Sequence, residues 1–445
     1  MSTRSQPDQK ELEKIVSTVL GLAADNGADQ AEVAASHDIG LSATARLGEV
    51  ESLEYTNDRG VWLTVFKDQK KGSASTSDFS PAALAEVVQK ACSFAKYTAA
   101  DEYSGLASKD MLAENPPDLD LAHDWPIESE EAIRIAIECE DVARSQDSRI
   151  TNSEGATVGT SGGVRAYANS HGFLAGFPKT SHSLSCVVVG EENGSMERDY
   201  WYTAARDAST LESPAAVGEK AAQRTVARLG ARKIQTLNAP VLFAPEMARG
   251  FVAHAISAIS GGAQYRRSSF LLDAAGEKVF PEFFRIEERP HIAAGMASAP
   301  YDAEGVRTVD RDLVVDGVVQ GYLLGSYSAR KLGLTSTGNA GGAHNLLVPG
   351  NGGSHEDLLQ EMGTGLLVQE LIGQGVNAVT GDYSRGAVGF WVENGEIAYP
   401  VHEVTIAGNL KELYPRIVSV GSDQDLRSGI RCGSILVSEM KIAGA

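Results

Sequence analysis

Apolar residues recur at helical spacing in two segments of the first half of the chain. They are Leu12, Ile15, Val16, Val19 and Leu20 in the first segment, and Ala132, Ile133, Ala136, Ile137 and Cys139 in the second. Each set forms one stripe along a helix, which predicts two amphipathic helices. Further helices are predicted over 81–98 and 214–229, because a Ser-Pro pair before each supplies an N-cap and a proline at the first helical position.

The first half of the chain has the pattern of one unit written twice. The hexad at 55–60 is echoed at 167–172, and each copy is interpreted as a strand, a turn and a second strand. With the paired helices, this predicts helix, β-meander and helix in both 1–105 and 120–232, joined by a linker at 115–118. A chance match stays open as the alternative, because the repeated stretches are short.

The second half, 236–445, follows a different pattern. A short buried strand at 240–243 leads into a helix predicted from about Glu246 to Ser260. Asp-Gly at 316–317 and Asn-Gly at 394–395 each lie between apolar runs and predict type I′ hairpins. We therefore predict an α+β fold, with two small helix/β-meander units followed by a large β-rich C-terminal domain.

Charge and targeting patterns narrow the class of function. The 445 residues include 39 Lys and Arg against 59 Asp and Glu, a formal net charge of −20. Such a surface repels a nucleic-acid backbone, so no nucleic-acid partner is expected. No apolar run in Met1–Glu11 indicates a secretory signal, and the uncharged stretch at 250–265 is too short and polar to span a bilayer. Four widely spaced cysteines suit reduced thiols, so we expect a cytoplasmic protein without a membrane contact.

Motifs for metal or nucleophilic catalysis are incomplete. His355-Glu356 and His402-Glu403 begin the zinc motif HExxH, but no second His follows either pair, so both are interpreted as surface or strand pairs. The G-x-S-x-G match at 159–163 precedes a strand-like run rather than a helix, so it is interpreted as accidental. Cys432 follows Arg431, whose charge would lower a thiol pKa, yet an inert thiol is the favoured interpretation.

One polar cluster lies in glycine-rich sequence, since 331–395 holds 15 of the 46 glycines. Its members are Ser326, Tyr327, Arg330, Thr337, Asn339, His344, Asn345, Asp382, Tyr383, Ser384 and Arg385. These side chains either satisfy their own backbone in turns or line a groove for an extended peptide or a partner chain. The sequence favours neither alternative.

Five segments of the second half resemble a known family. They are Tyr265–Leu271, Asp302–Thr308, Ser326–Leu332, Ser336–Gly342 and Thr380–Ala387. The chain resembles the TldD/PmbA family over essentially its whole length, and most closely the PmbA branch, also called TldE. The resemblance implies a cytoplasmic protease system in which a TldD subunit with a helical HExxxH zinc motif pairs with a TldE subunit. Family roles include degradation of unfolded peptides, maturation of a peptide antibiotic (microcin) and turnover of an antitoxin.

The chain departs from the TldD motif where catalysis would occur. The motif aligns with His254–Ile259, so that Ala255 replaces the catalytic Glu and Ile259 replaces the second His. Alanine cannot accept a proton from water, and isoleucine cannot bind zinc. The resemblance therefore implies no catalytic or metal-binding residue in this chain, with zinc held by the TldD-type partner. A lone His254 beside an apolar stripe is more often a core residue.

The leading hypothesis is a non-catalytic subunit, inactive alone, that completes the substrate channel of a zinc protease. The second hypothesis is a homodimeric peptide-binding or scaffold protein that acts without a catalytic partner. The third is a hydrolase that uses Cys432 or a serine as nucleophile.

Overall fold

The structure is a computed structural model that describes residues 8–444. Its first half contains two units with the same order of elements. The first comprises α1 (Gln9–Asp25), β1 (Gln30–Arg46), β2 (Glu49–Lys67), β3 (Lys70–Thr76) and α2 (Pro81–Tyr97). The second comprises α3 (Ser129–Ser145), β4 (Ile150–Asn169), β5 (Leu174–Glu192), β6 (Ser195–Ala205) and α4 (Pro214–Arg228). The exact domain boundaries stay a prediction, and residues 1–7 of the first unit lie outside the described residues.

The predicted helix starts are confirmed by their capping geometry. The Ser80 hydroxyl accepts a hydrogen bond from the backbone N–H of Ala83, and Ser213 does the same for Ala216, each ahead of a proline at the first helical turn. Helix α4 ends before Gly230, whose φ of +74° is the left-handed conformation typical of a helix C-terminus.

Strand pairing joins the two units into one antiparallel sheet, the N-terminal sheet, with the order β3-β2-β1-β4-β5-β6. The central pair is β1 and β4, which align from Glu32 opposite Asn169 to Ala45 opposite Ala156. Helices α1 and α2 cover one half of a face of this sheet, and α3 and α4 cover the other half. The two units are thus related by an approximate twofold axis between β1 and β4.

The hexad interpretation is wrong for its first copy. Residues 55–60 lie inside β2, whereas 167–172 end β4 and enter a turn. The turn between β1 and β2 is at Leu47-Gly48 instead, where both residues have positive φ. Strand β2 stays extended through Asn57 because β1 pairs with it residue by residue there, which overrides the local turn preference. The repeat is therefore carried by the order of elements rather than by the echoed hexad.

The C-terminal half is built on two further sheets. Its helices are α5 (Pro245–Ala258), α6 (Gly261–Tyr265), α7 (Ser326–Leu332), α8 (His355–Met362) and α9 (Leu410–Leu413). Its strands are β7 (Leu237–Phe243), β8 (Ile286–Glu288), β9 (Arg311–Val315), β10 (Val318–Val319), β11 (Leu346–Leu347), β12 (Gly365–Ile372), β13 (Asp382–Glu393), β14 (Glu396–Asn409), β15 (Ile417–Val420), β16 (Ile430–Arg431) and β17 (Ile435–Ala443). The predicted β-rich character and the α+β class are confirmed.

The larger C-terminal sheet has the order β14-β13-β12-β7-β17-β15, and β14 also pairs with β17, which closes a ring of strands. The smaller sheet has the order β10-β9-β8-β11-β16. Both predicted hairpins are confirmed, because Asp316-Gly317 joins β9 to β10 and Asn394-Gly395 joins β13 to β14, all with positive φ. No helix within residues 8–444 is long and apolar enough to cross a membrane.

Candidate functional site

A cleft of about 490 Å³ opens beside α5 in the C-terminal domain. Helix α5 forms one wall, α6 and the start of α7 form the next, and the loop 339–343 forms another. The residues that line the cleft include Ala253, Ile256, Ser257, Gly261, Gly262, Glu304, Gly325, Tyr327, Ser328, Asn339, Gly341 and Gly342. Small side chains and glycine backbone therefore dominate the surface that a ligand would meet.

Helical periodicity decides which side of α5 faces the cleft. Phe251, Val252 and Ala255 are buried in the C-terminal core. Ala253, Ile256 and Ser257 lie on the other side of the helix and line the cleft, with Ser257 exposed. At the neighbouring wall, a side chain at Gly261 would collide with Ser328, so glycine there lets α6 and α7 approach closely.

Two acidic residues bind backbone N–H groups beside the cleft, and one of them, Glu304, lines it. Glu304 accepts a hydrogen bond from the backbone N–H of Ser326 at 2.8 Å, at the start of α7. Asp302 is buried and accepts three backbone N–H groups, from Glu304, Val306 and Ala340. Burial nevertheless raises the pKa of Asp302 to about 7, and the nearby charge of Glu304 acts in the same direction.

Tyr327 and Asn339 are the predicted polar residues that line the cleft. The Asn339 amide donates to the buried carboxylate of Glu288 at 2.8 Å, and its oxygen accepts from the Thr337 hydroxyl at 2.7 Å. Tyr327 donates its hydroxyl to Asp101, at 2.7 Å. Asn339 and Thr337 therefore satisfy each other and the backbone, as the turn interpretation predicts.

Arg330 and Ser326 lie on α7 but serve the packing around it. The Arg330 guanidinium donates to the carbonyls of Gly105 and Leu106, at 2.7 and 3.0 Å. Those carbonyls belong to the segment that follows α2, so Arg330 attaches the first unit to the C-terminal domain. Ser326 is buried and gives its N–H to Glu304.

His344 and Asn345 are buried structural residues. The His344 ring lies 2.9 Å from the Gly338 carbonyl, and its backbone N–H donates to Glu288. The Asn345 amide group donates to the Ser298 hydroxyl at 2.6 Å and its oxygen accepts the backbone N–H of Ala297 at 2.9 Å. Buried side chains that bond neighbouring loops in this way stabilise the local backbone.

The remaining predicted residues, Asp382 to Arg385, lie on β13 rather than in the cleft wall. Asp382 accepts from Thr380 at 2.7 Å, and Ser384 donates its backbone N–H to Gly375. Tyr383 is buried, and its ring contacts the His254 ring edge-on at 6.0 Å between centroids. The structure thus divides the predicted cluster into two groups, and contact of either with a peptide or partner stays a prediction.

His254 stands alone where a zinc site would need further donors. Burial, together with the charge of Arg385, lowers the pKa of His254, so its imidazole is neutral at pH 7. Ala255 and Ile259 are each 2% exposed, packed in the core. Within residues 8–444 no three His, Cys, Asp or Glu side chains are grouped as metal ligands. The donor set around His254 therefore does not fit zinc.

The third hypothesis, a Cys or Ser hydrolase, is not supported by the geometry. Cys432 has no exposed surface, and burial raises its pKa, so any lowering of that pKa by the neighbouring Arg431 is outweighed. Ser434 lies 3.0 Å from the His355 ring, but its hydroxyl donates to Asp423 and is itself buried. A nucleophile must instead give its proton to the imidazole and reach the substrate.

No motif in the sequence indicates the carboxylates that bind the backbone in this region. Glu288 accepts from Asn339, from the His344 backbone and from Arg311, yet no motif surrounds it. Asp302 and Glu304 lie in a Asp-x-Glu-Gly turn, and an Asp that bonds the N–H two residues later is a readable turn signal.

Comparison with known proteins places the chain in a family. Residues 31–95, 122–229 and 236–444 match, in that order, domain 1, the central domain and the C-terminal domain of the PmbA/TldA metallopeptidases. The chain is 53% identical over 439 residues to the Metalloprotease PmbA of Escherichia coli O157:H7, covering 99% of this chain and 97% of that protein. It is 49% identical over 437 residues to a PmbA homolog of Haemophilus influenzae, covering 98% and 97% of the two chains.

A solved structure supports the same assignment. A Bacteroides thetaiotaomicron protein, described as a candidate modulator of DNA gyrase, superposes with a TM-score of 0.92 at 26% identity and covers 98% of this chain and 99% of its own. The similarity extends over all three parts of the fold. The chain belongs to the PmbA/TldD family of metallopeptidases.

Proposed function

We propose that this chain is the non-catalytic subunit of a two-subunit, cytoplasmic zinc protease of the TldD/TldE type. The observation that carries the proposal is the helix at His254. Ala255 and Ile259 occupy the positions of the TldD catalytic Glu and second zinc ligand, and both side chains are packed in the core. A rotamer change cannot supply a carboxylate or an imidazole there.

The names of the relatives describe metalloproteases, whereas the donors around His254, within the described residues 8–444, do not fit a zinc ion. A second subunit with a complete HExxxH motif would explain how a complex that contains this chain is a metalloprotease, because that subunit would supply both the metal and the general base. In such a complex, this chain forms part of the wall of the substrate channel and contacts the substrate, while the second subunit carries out catalysis. A TldD-type subunit is therefore the proposed partner.

The cleft beside α5 favours an extended peptide as the substrate. Gly261, Gly325 and Gly341 line it, so a ligand meets backbone groups at short range. Main-chain pairing of this kind binds an unfolded segment with little dependence on its side chains. Unfolded proteins, a peptide antibiotic precursor and an antitoxin are the substrate classes that the family resemblance implies.

The test is purification of this chain alone and co-expressed with the TldD-type subunit of the same host. Bound zinc and cleavage of an unstructured peptide are then measured in both preparations. We expect zinc at about one equivalent, and cleavage, in the mixed complex only. Stoichiometric zinc or metal-dependent cleavage by the isolated chain would contradict the proposal.

A cleft variant makes the test more specific. Ser257→Trp places a large ring on the exposed face of α5 that lines the cleft, and Ser17→Trp places one on the exposed face of α1. In the mixed complex we expect Ser257→Trp to raise the peptide KM about tenfold, a loss of about 1.4 kcal/mol of binding, with the zinc content unchanged. Ser17→Trp should match the unaltered complex.

A homodimeric peptide-binding or scaffold protein is the other function that the cleft allows. Recovery from the host only as a homodimer that binds the peptide without cleaving it would establish that function instead.

A further inference from the structure

Three polar side chains with unused hydrogen-bonding groups meet between α5 and β13. Side chains alternate along a strand, so Tyr383 and Arg385 share one face of β13. That face is turned to α5, because the Tyr383 ring contacts the His254 ring edge-on at 6.0 Å between centroids. The alternate residues, Asp382 and Ser384, are exposed on the opposite face. We call His254, Tyr383 and Arg385 the donor cluster.

The donor cluster lacks a complete set of hydrogen bonds within the described part of the chain. Tyr383 is 2% exposed, and neither its hydroxyl nor the buried Nε of Arg385 has a hydrogen-bond partner among residues 8–444. Arg385 donates one Nη to the Leu371 carbonyl at 3.3 Å, and no described carboxylate forms an ion pair with it. The His254 ring makes no hydrogen bond to a described residue either. Buried polar groups are nearly always paired, so unpaired groups that meet in one place point to a ligand.

The charge of the donor cluster favours a singly charged anion. Burial lowers the pKa of His254 and the charge of Arg385 adds to that effect, so the guanidinium lies near the imidazole. Burial raises the pKa of Tyr383, and the same guanidinium charge opposes the rise. The Tyr383 hydroxyl, the Arg385 Nε and the neutral imidazole can each donate one hydrogen bond. One positive charge balances a carboxylate, whereas a doubly charged anion would leave a partly buried negative charge unpaired.

We propose that the donor cluster binds a carboxylate of the peptide substrate, supplied by its C-terminus or by an acidic side chain. This inference rests on the proposed function for the identity of the ligand. His254 precedes Ser257 by three residues, so the donor cluster and the cleft are neighbours on the surface of α5, about 4.5 Å apart along its axis. His254 and Arg385 are both partly exposed, which leaves the cluster open to the surface. An extended peptide advances about 3.3 Å per residue, so one that lies in the cleft reaches the cluster within a few residues.

The variant Tyr383→Phe separates binding from folding. Because the hydroxyl has no partner among the described residues, its removal breaks no hydrogen bond of the chain, and we expect a urea midpoint no lower than that of the unaltered chain. Tyr414→Phe is the matched comparison, since the Tyr414 hydroxyl donates to the Phe251 carbonyl at 3.1 Å. That variant should lower the midpoint. A clear loss of stability in Tyr383→Phe would assign its hydroxyl a structural role and overturn the proposal.

Binding of three fluorescent, unstructured peptides to the full-length chain tests the ligand. They share one sequence without acidic residues: the first ends in a free carboxylate, the second in an amide, and the third in an amide with one glutamine replaced by glutamate. By fluorescence anisotropy we expect the first peptide, the third or both to bind about tenfold more tightly than the second, which identifies the source of the carboxylate. Tyr383→Phe and Arg385→Gln should each abolish that preference. Tyr399→Phe, at the other end of the β13–β14 hairpin, should keep it.

The outcomes separate this site from the proposed function. Equal affinity of the three peptides for the unaltered chain, or no binding at millimolar concentration, would overturn the site. A preference that survives in both Tyr383→Phe and Arg385→Gln would place the carboxylate elsewhere and overturn it as well. A mixed complex that holds zinc and cleaves peptide, with no carboxylate preference in this chain, would remove the site alone. Carboxylate binding by a chain that forms no mixed complex would keep the site and remove the proposed function.

Discussion

The carboxylate of Glu140 accepts a hydrogen bond from the backbone N–H of Leu47 at 2.8 Å, across the boundary between the two N-terminal units. Its other oxygen accepts from Gly48 at 3.0 Å. Leu47 has a positive φ of 55°, so the turn that begins β2 is held in a costly conformation by a residue of the other unit.

Glu140→Ala should therefore lower the free energy of unfolding by about 2–3 kcal/mol, because two backbone N–H groups lose their partners beside a buried side chain. Urea denaturation followed by circular dichroism measures the change. Glu138→Ala, on the exposed face of the same helix, is the control and should stay within about 0.5 kcal/mol. Equal losses for the two variants would show that Glu140 does not hold the turn.

The buried Asp199 neutralises two guanidinium groups, those of the buried Arg228 and the partly buried Arg224. Its carboxylate lies 2.8 Å from Arg228 and 3.2 Å from Arg224, and Arg228 also pairs with Glu370 of the C-terminal domain. Asp199→Ala should lower the free energy of unfolding by about 3–5 kcal/mol, since it leaves Glu370 alone to balance the charges of Arg228 and Arg224. Glu154→Ala breaks the exposed pair with Arg198 and should cost less than about 1 kcal/mol. A small effect at Asp199 would mean that water reaches the pair.

Replacing Ala255 with the glutamate of the TldD motif should destabilise the chain without creating a zinc site. Ala255→Glu would bury an unpaired charge in the C-terminal core and lower the free energy of unfolding by about 3 kcal/mol or more. Ser257→Glu, on the exposed side of the same helix, should change it by less than about 0.5 kcal/mol. Denaturation and metal analysis of both variants provide the test. Stable folding with bound zinc in Ala255→Glu would show that the site has kept a metal-binding geometry.

Asp302 should make the stability of the chain depend on pH. Its pKa is raised from 3.8 to about 7, so the folded state favours the protonated carboxyl. The stabilisation is complete below about pH 4 and is lost as the pH rises through about 7. The free energy of unfolding of the unaltered chain should thus fall relative to that of Asp302→Asn between pH 5 and pH 8. A constant difference between the two proteins over that range would show that Asp302 is ionised throughout.

Thiol labelling should distinguish one cysteine from the rest. Cys139, Cys186 and Cys432 are buried, whereas Cys92 is partly exposed. Ellman's reagent should therefore titrate about one thiol in native conditions and all four in denaturant, because reaction requires an accessible thiolate. The Cys92→Ser variant should show almost no native reaction. Rapid labelling of Cys432 in that variant would reopen the nucleophile hypothesis.

Local chemistry predicted much of the fold. The Ser-Pro helix starts and the Asp-Gly and Asn-Gly hairpins depend on a few adjacent residues, so their conformations can be inferred from the sequence alone. The pairing of β1 with β4 depends on residues far apart along the chain, and nothing in either strand indicates its neighbour. The turn predicted within Tyr55–Gly60 is wrong for the same reason, since β1 and not the local sequence keeps that segment extended.

The candidate site was predicted in part. Glycine density and polar residues indicated the region, and Tyr327 and Asn339 do line the cleft. The sequence could not show that Asn345 points inward to Ser298, because a buried amide and a ligand-binding amide have the same local pattern. The cleft itself depends on α5 packing beside segments that lie tens of residues away.

The shared N-terminal sheet also governs how the chain acquires its fold during synthesis. Glu32 on β1 and Tyr167 on β4 bond at 3.0 Å although 135 positions separate them. At about 5–20 residues per second, a ribosome releases β1 several seconds before β4. Until then the middle strand of the finished sheet is an open edge on the nascent chain, which is the stage at which a chaperone would have most to protect.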